Sequence, residues 1–167
     1  MPRVRQATTA DADAIGRVQV ETWRAAYRGL LPDDAIAQFD VEDQQRLWRE
    51  RISRALGPGG ATFVAELDGE VVGFASVGAC PGEEDAAELY AIYLHPSCWD
   101  RGIGRALLER AEESMRSSGF TQAILWVLEG NERAERFYRA ARWEADGRKV
   151  DTFQGVEVPE IRYRKAL

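Results

Sequence analysis

The sequence predicts an α/β (α+β) fold, with one mixed central sheet of about seven strands and about four flanking helices in a single domain over residues 1–167. Three observations carry this. The hydrophobic period is helical before residue 57 and switches to strand-like from residue 61. Helical segments then separate the later strands, as a crossover between parallel strands requires. No internal repeat or long linker divides the chain.

Taken in order, "VRQAT" (4–8) reads as a first strand. Thr9 or Asp11 can cap the helix that follows, in which Ile15, Val18, Trp23 and Tyr27 keep a helical period. The chain turns at Pro32, a second helical piece begins, and "VEDQQRLWRERISRAL" (41–56) continues it until "GPGG" (57–60) ends it. "ATFVAEL" and "VVGFASVG" form a hairpin through Asp68, Gly69 and Glu70, and "AELYAIYL" (87–94) is a third strand. Helix 104–118 carries Leu107, Leu108, Ala111 and Met115 on one side and stops at Gly119. "AILWVL" (123–128) is apolar without alternation, the pattern of a strand buried on both faces. Asn131 opens the next helix, and "EADGRKV" and "EVPEIRYRK" flank "DTFQG" as two final strands.

Composition narrows the function classes. Hydrophobic residues make 45% and charged residues 30% of the chain, the balance of a soluble globular protein. No apolar run approaches the roughly 20 residues that span a bilayer, and no secretory h-region is expected at the start, so no membrane partner and a cytoplasmic location are expected. With 28 acidic against 22 basic residues, a nucleic-acid partner is not expected. Arg162, Arg164 and Lys165 read as the polar side of a terminal strand. Cys80 and Cys98 have no paired spacing and make neither a disulfide framework nor a metal site, and His95 is the sole histidine, so no metal is expected. His95, just before Pro96, reads as a turn residue.

The loop "RGIG" (101–104) lies between a strand and a helix, where free backbone amides and the helix dipole can cradle a phosphate. It can equally be a tight turn with glycines at positive φ. A Walker loop is excluded because no Gly-Lys-Ser/Thr occurs. A dinucleotide fingerprint is excluded by Leu107 at its third small position.

"ELYAIYLHP" running into "RGIGRALLERAE", with "NERAERFYRAARW" and the opening "VRQATTADADAIGRVQVETWRAAYRGLLP", resembles the GCN5-related N-acetyltransferase (GNAT) superfamily, in its small bacterial single-domain branch. The resemblance implies a GNAT-like sheet and acetyl-CoA as co-substrate, without metal. Gly102, Ile103 and Gly104, aided by Arg101 and Arg105, would hold the pyrophosphate. Backbone groups of Ile92, Tyr93 and Leu94 would pair with the pantetheine arm, and a bulge nearby would splay two parallel strands. Asn131 would bond the cofactor arm or simply cap its helix. The chain departs from the family pattern at Trp99, at Asp100 and at Arg142, the last two standing where a glycine is frequent.

The implied activity is transfer of acetyl from acetyl-CoA to a primary amine by direct attack. Tyr138 is the expected general acid and Glu88 the possible water-mediated general base. A backbone N–H of Tyr93 or Leu94 would meet the oxyanion. Trp23, Tyr27, Trp126 and Phe153 are expected to wall the acceptor pocket, although Trp23 and Tyr27, four apart on one helix face, equally fit a core stripe. Glu21, Asp33, Asp34 and Asp151 could attract a cationic amine. The acceptor is a small-molecule amine or a peptide or protein amino group, and a homodimer through the final strands is possible. The alternative is an inactive acyl-CoA-binding sensor or partner module.

Overall fold

The computed structural model describes residues 2–54 and 57–167. β1 (Arg3–Gln6) leads through a short 3-10 turn into α1 (Ala12–Tyr27), followed by α2 (Asp33–Ala37) and α3 (Val41–Ser53). The expected end of this last helix at Ala55 and Leu56 lies outside the described residues. β2 (Ala61–Leu67), β3 (Glu70–Ala79) and β4 (Ala86–Leu94) form an antiparallel meander. α4 (Ile103–Ser117), β5 (Gln122–Leu128), α5 (Glu132–Ala140), β6 (Glu144–Phe153) and β7 (Val156–Ala166) complete the chain.

The seven strands make one mixed sheet in the order β1-β2-β3-β4-β5-β7-β6. Among the described residues only β4 and β5 are parallel neighbours, joined by the α4 crossover. The second expected parallel pairing does not form, because β7 inserts between β5 and β6 and lies antiparallel to both. The final hairpin is longer than the sequence implied: it turns at Gln154 and Gly155, so Asp151–Phe153 belong to β6.

Local chemistry explains the element ends. Asp11 accepts the Thr8 N–H at 2.7 Å at the entry to α1, and both oxygens of its carboxylate take Arg5 at 2.8 Å. Asp68 (φ 53°) and Gly69 (φ 83°) give the two left-handed residues of a tight hairpin turn. Two cores sandwich the sheet. On one face α4 buries Ile103, Leu107, Leu108, Ala111 and Met115 against Phe63, Leu89, Leu125, Trp143 and Tyr163. On the other, Ile15 and Val18 of α1 meet Trp48 of α3 over Val64 and Phe74. No helix among the described residues is long and apolar enough to cross a membrane.

Candidate active site

The sheet is open at its one parallel pair. β4 and β5 pair only from Ala86↔Gln122 to Glu88↔Ile124; beyond that β4 stays with β3 while β5 follows β7. The β3–β4 register steps from Val77↔Leu89 to Ser76↔Ala91, so Tyr90 is an extra residue in a β-bulge. A bulge increases local twist and turns β4 away from its neighbour. Gly78 makes room for it: a Cβ there would stand 2.7 Å from the Tyr90 ring. The Tyr90 hydroxyl donates to the Ala79 carbonyl and fixes the ring in place. The result is a cleft of about 500 Å³ walled by β4, β5, the start of α4, one side of α5 and the end of α1.

Backbone phase decides which groups of β4 face this cleft. His95 N–H donates to Val72 O at 2.8 Å, and hydrogen-bonded pairs alternate along an antiparallel ladder. Tyr93 therefore bonds across to Phe74, while Ile92 and Leu94 direct N–H and C=O toward the cleft. The Leu94 carbonyl already accepts the Trp99 indole N–H at 2.7 Å and the Thr22 hydroxyl at 3.3 Å. Ile92 N–H, Ile92 C=O and Leu94 N–H remain. This corrects the expectation for Tyr93, whose backbone is engaged with β3 and whose side chain, instead, lines the cleft.

At the mouth, both readings of "RGIG" hold at different positions. Gly102 (φ 79°) is a left-handed N-cap, the tight turn; Gly104 is already helical. The amides of Ile103, Gly104 and Arg105 open α4 with no carbonyl four residues back to accept them, while Ala106 N–H returns to Gly102 O at 3.1 Å. The Ile103 side chain is in the core, so only its backbone can serve a ligand. Arg105 lines the cleft and pairs with Glu109 at 3.0 Å. Arg101 is exposed and is not among the lining residues. Asp100 turns toward α5, accepting Arg133 at 3.1 Å, and the Arg133 guanidinium stacks 4.3 Å over the Trp99 ring. Asp100 (φ 59°) and Arg142 (φ 69°) both hold the left-handed backbone that glycine adopts without penalty, which explains the glycine of the family pattern.

Deeper in, Asn131 caps α5 by accepting the Ala134 N–H at 3.3 Å and also lines the cleft, so its two expected roles share one side chain. Tyr138 is buried on α5 with its ring near Phe137, Trp143 and Tyr163. Burial first, then Tyr93, pushes its hydroxyl well above the ordinary tyrosine value. Tyr27 and Tyr93 are raised as well, chiefly by burial. Glu88 is half-buried where the β4–β5 pairing ends and does not line the cleft. Its carboxyl is raised by burial and by Glu160, with Lys149 opposing.

The four aromatic residues expected around the acceptor separate into two groups. Tyr27 and Trp126 line the cleft. Trp23 and Phe153 do not; they stack at 4.7 Å, with Phe39 4.6 Å from Trp23, in a cluster that backs Tyr27. The helical period could not distinguish these, because α2 and the β6–β7 hairpin cover Trp23 from outside its own helix. Sequence reasoning missed Thr22, Tyr90, Trp99, Arg133 and Phe137, all lining residues. Only Trp99, beside the glycine loop, carried a local signal. His95 stands outside the lining, between Ser97 at 2.7 Å and Glu21 at 3.1 Å. Both cysteines are free and buried, and burial pushes the Cys80 thiol up. Among the described residues no His/Cys/Asp/Glu group has the arrangement of a metal site.

A sheet opened beside its parallel pair, with unpaired β4 backbone on one side and a helix N-terminus at the mouth, defines the N-acetyltransferase type of fold. The chain belongs to the acetyltransferase (GNAT) family, whose model matches residues 21–141. It is 32% identical to the uncharacterized N-acetyltransferase YuaI of Bacillus subtilis, over 96% of this chain and 91% of that one. Its fold matches PaiA N-acetyltransferase of Thermoplasma acidophilum, solved in complex with coenzyme A, with TM-score 0.78, 23% identity and 100% and 99% of the chains covered. It also matches a ribosomal-protein-alanine N-acetyltransferase of Brucella melitensis, with TM-score 0.76, 26% identity and 99% of each chain covered.

Proposed function

We propose that the protein transfers the acetyl group of acetyl-CoA to a primary amine by direct attack, with both substrates held in the cleft. One observation carries this reading: the unpaired Ile92 and Leu94 backbone, the α4 amides and Tyr138 all border a single slot. The residues fit coenzyme A. Leu94 N–H and Ile92 C=O can pair with an amide-bearing arm as an added strand. The amides of Ile103, Gly104 and Arg105 can take a diphosphate at the helix N-terminus. Arg105 adds positive charge beside it, and Arg133 pairs with the Asp100 carboxylate at the mouth of the cleft. The fold of PaiA, described with coenzyme A, supports the same choice.

Coenzyme A supplies the activated acyl group as a thioester, and the chain's own residues manage charge and protons. Ile92 N–H, the free β4 amide farther from the α4 mouth, stabilises the oxygen that gains charge during attack. Tyr138, protonated at any physiological pH, gives its proton to the leaving sulfur. Glu88, set back from the cleft, receives the amine's proton through an intervening water, and its raised pKa makes it a better base than a solvated carboxylate. The acceptor approaches along the face bearing Tyr27 and Trp126.

The test is acetyl-CoA turnover, read as free thiol, against a panel of amines, amino acids and N-terminal peptides, with Tyr138→Phe in parallel. Acceptor-dependent thiol release that falls at least about 100-fold in the variant supports the assignment. Binding of acetyl-CoA with no transfer to any acceptor favours an inactive acyl-CoA-binding module. Failure to bind overturns the reading of the 101–105 loop.

A further inference from the structure

The residues of the sheet face that carries Trp126 follow from register. Glu88 stands opposite Ile124, Trp126 opposite Arg162, and Glu160 opposite both Leu128 and Lys149. Alternation puts Glu88, Trp126, Glu160 and Lys149 on this same side, since their neighbours Leu89, Leu125 and Ile161 enter the opposite core. The Lys149 ammonium lies 4.2 Å over the Trp126 ring and 3.5 Å from Glu160, with Asp151 at 3.7 Å. The chain's own primary ammonium therefore occupies a seat made of an indole face and a carboxylate, at the rim of the cleft that Trp126 lines.

Resting on the N-acetyltransferase reading, we infer that the acceptor is an amine bearing a second cationic group, and that Trp126 and Glu160 hold that second cation in place of Lys149. A carboxylate-bearing acceptor is the opposite possibility, and the charges on this face oppose it. Arg162 is occupied by Asp146 at 2.7 Å and Glu83 at 3.7 Å, Arg164 by the same two carboxylates, and Lys149 already faces Glu160 and Asp151. An incoming anion meets no cation here without a carboxylate beside it. An incoming cation meets Glu160, whose only ion-pair partner among the described residues, Lys149, is too distant for a hydrogen bond. Lys149 sits on a β6 strand exposed along most of its length, so its four-carbon stem can swing off the ring into water. Two residues of strand, about 7 Å, separate Trp126 from Ile124, where the sheet opens, so the two nitrogens of the acceptor are joined by a short chain.

The experiment compares kcat/KM for α,ω-diaminoalkanes of three to six carbons, for monoaminoalkanes of equal length and for the corresponding ω-amino acids, in the parent, Glu160→Gln, Trp126→Leu and Lys149→Met. Arg148→Met, an exposed residue paired with Glu129 away from this seat, is the control. The diamine is expected to be favoured at least about tenfold over the monoamine. That ratio is expected to collapse in Glu160→Gln and Trp126→Leu through KM rather than kcat, and to rise in Lys149→Met. Equal use of the three acceptors, preference for the amino acid, or a ratio untouched by Glu160→Gln overturns the inference. Calorimetric binding of acetyl-CoA without acetylation of any diamine also overturns it while leaving N-acetyl transfer standing. Absence of acetyl-CoA binding removes both.

Discussion

Trp99 and Leu94 are joined by a 2.7 Å hydrogen bond from the indole N–H to the carbonyl at the end of β4. The bond closes one backbone acceptor on the open edge of the sheet and fixes the indole beneath Arg133, which in turn holds Asp100. An anion at residue 100, where the family pattern often has glycine, is thereby kept paired at the mouth of the cleft. Trp99→Phe is expected to break this arrangement. Released from its stack, Arg133 loosens Asp100, and acetyl-CoA affinity falls several-fold, measured calorimetrically at two salt concentrations. An unchanged affinity would show that Asp100 needs no such restraint.

Gly104→Ala separates folding from ligand approach. A Cβ at Gly104 stands 3.6 Å from Phe137, ordinary contact, and the backbone there is helical. The variant is expected to unfold at the same denaturant concentration or slightly higher, since alanine favours helix by up to about 1 kcal/mol over glycine. Coenzyme A affinity is expected to fall at least about tenfold, because the new methyl stands at the amides assigned to the diphosphate. Undiminished affinity would move the diphosphate elsewhere.

Arg142→Gly is expected to stabilise the protein by up to about 1 kcal/mol. The left-handed φ of Arg142 costs a side chain roughly 1–2 kcal/mol, and the greater freedom of glycine in the unfolded chain offsets part of the gain. Urea midpoints at constant m-value decide it.

Glu112 joins three elements: it accepts the Trp143 indole at 3.0 Å and Lys165 at 2.8 Å, and Lys165 also donates to the Ala141 carbonyl at 2.9 Å. Glu112→Ala is expected to lose about 3 kcal/mol, since it leaves the Trp143 indole N–H without its acceptor and the Lys165 ammonium without its counter-ion in a part-buried site. A loss under about 0.5 kcal/mol in urea would mean that water replaces the carboxylate freely.

Stability also has a predictable alkaline limb. Tyr27, Tyr93 and Tyr138 keep their protons more tightly when folded than the ordinary value near 10 in an unfolded chain. Their contribution is thus complete below about pH 10 and declines above it, where the unfolded chain releases protons that the folded chain retains. Melting temperatures between pH 8 and 11.5 should be level and then fall, and Tyr138→Phe should make the fall shallower. Asp11 works in the opposite sense: Arg5 holds its carboxyl below the ordinary range, so its contribution is present at neutral pH and is lost in acid. Asp11→Asn should flatten that acid limb.

The elements were legible because each is declared locally. Helix α4 follows from the spacing of Leu107, Leu108, Ala111 and Met115, the β2–β3 turn from Asp68 and Gly69, and the start of α5 from Asn131. The glycine loop and Tyr138 were also visible, through the residues that resemble the family. What the chain by itself determined was therefore the order and type of its elements, because capping, turn chemistry and periodicity act over a few residues. Tertiary structure decided the rest. Whether β5 meets β6 or β7 is a choice among distant strands, and the bulge that sets Tyr90 aside exists only in register with Gly78. The same pairing turns the backbone of Tyr93 away from the cleft and that of Leu94 toward it. It also takes Trp23 into the core while leaving Trp126 at the rim, because burial is set by what packs from elsewhere in the chain.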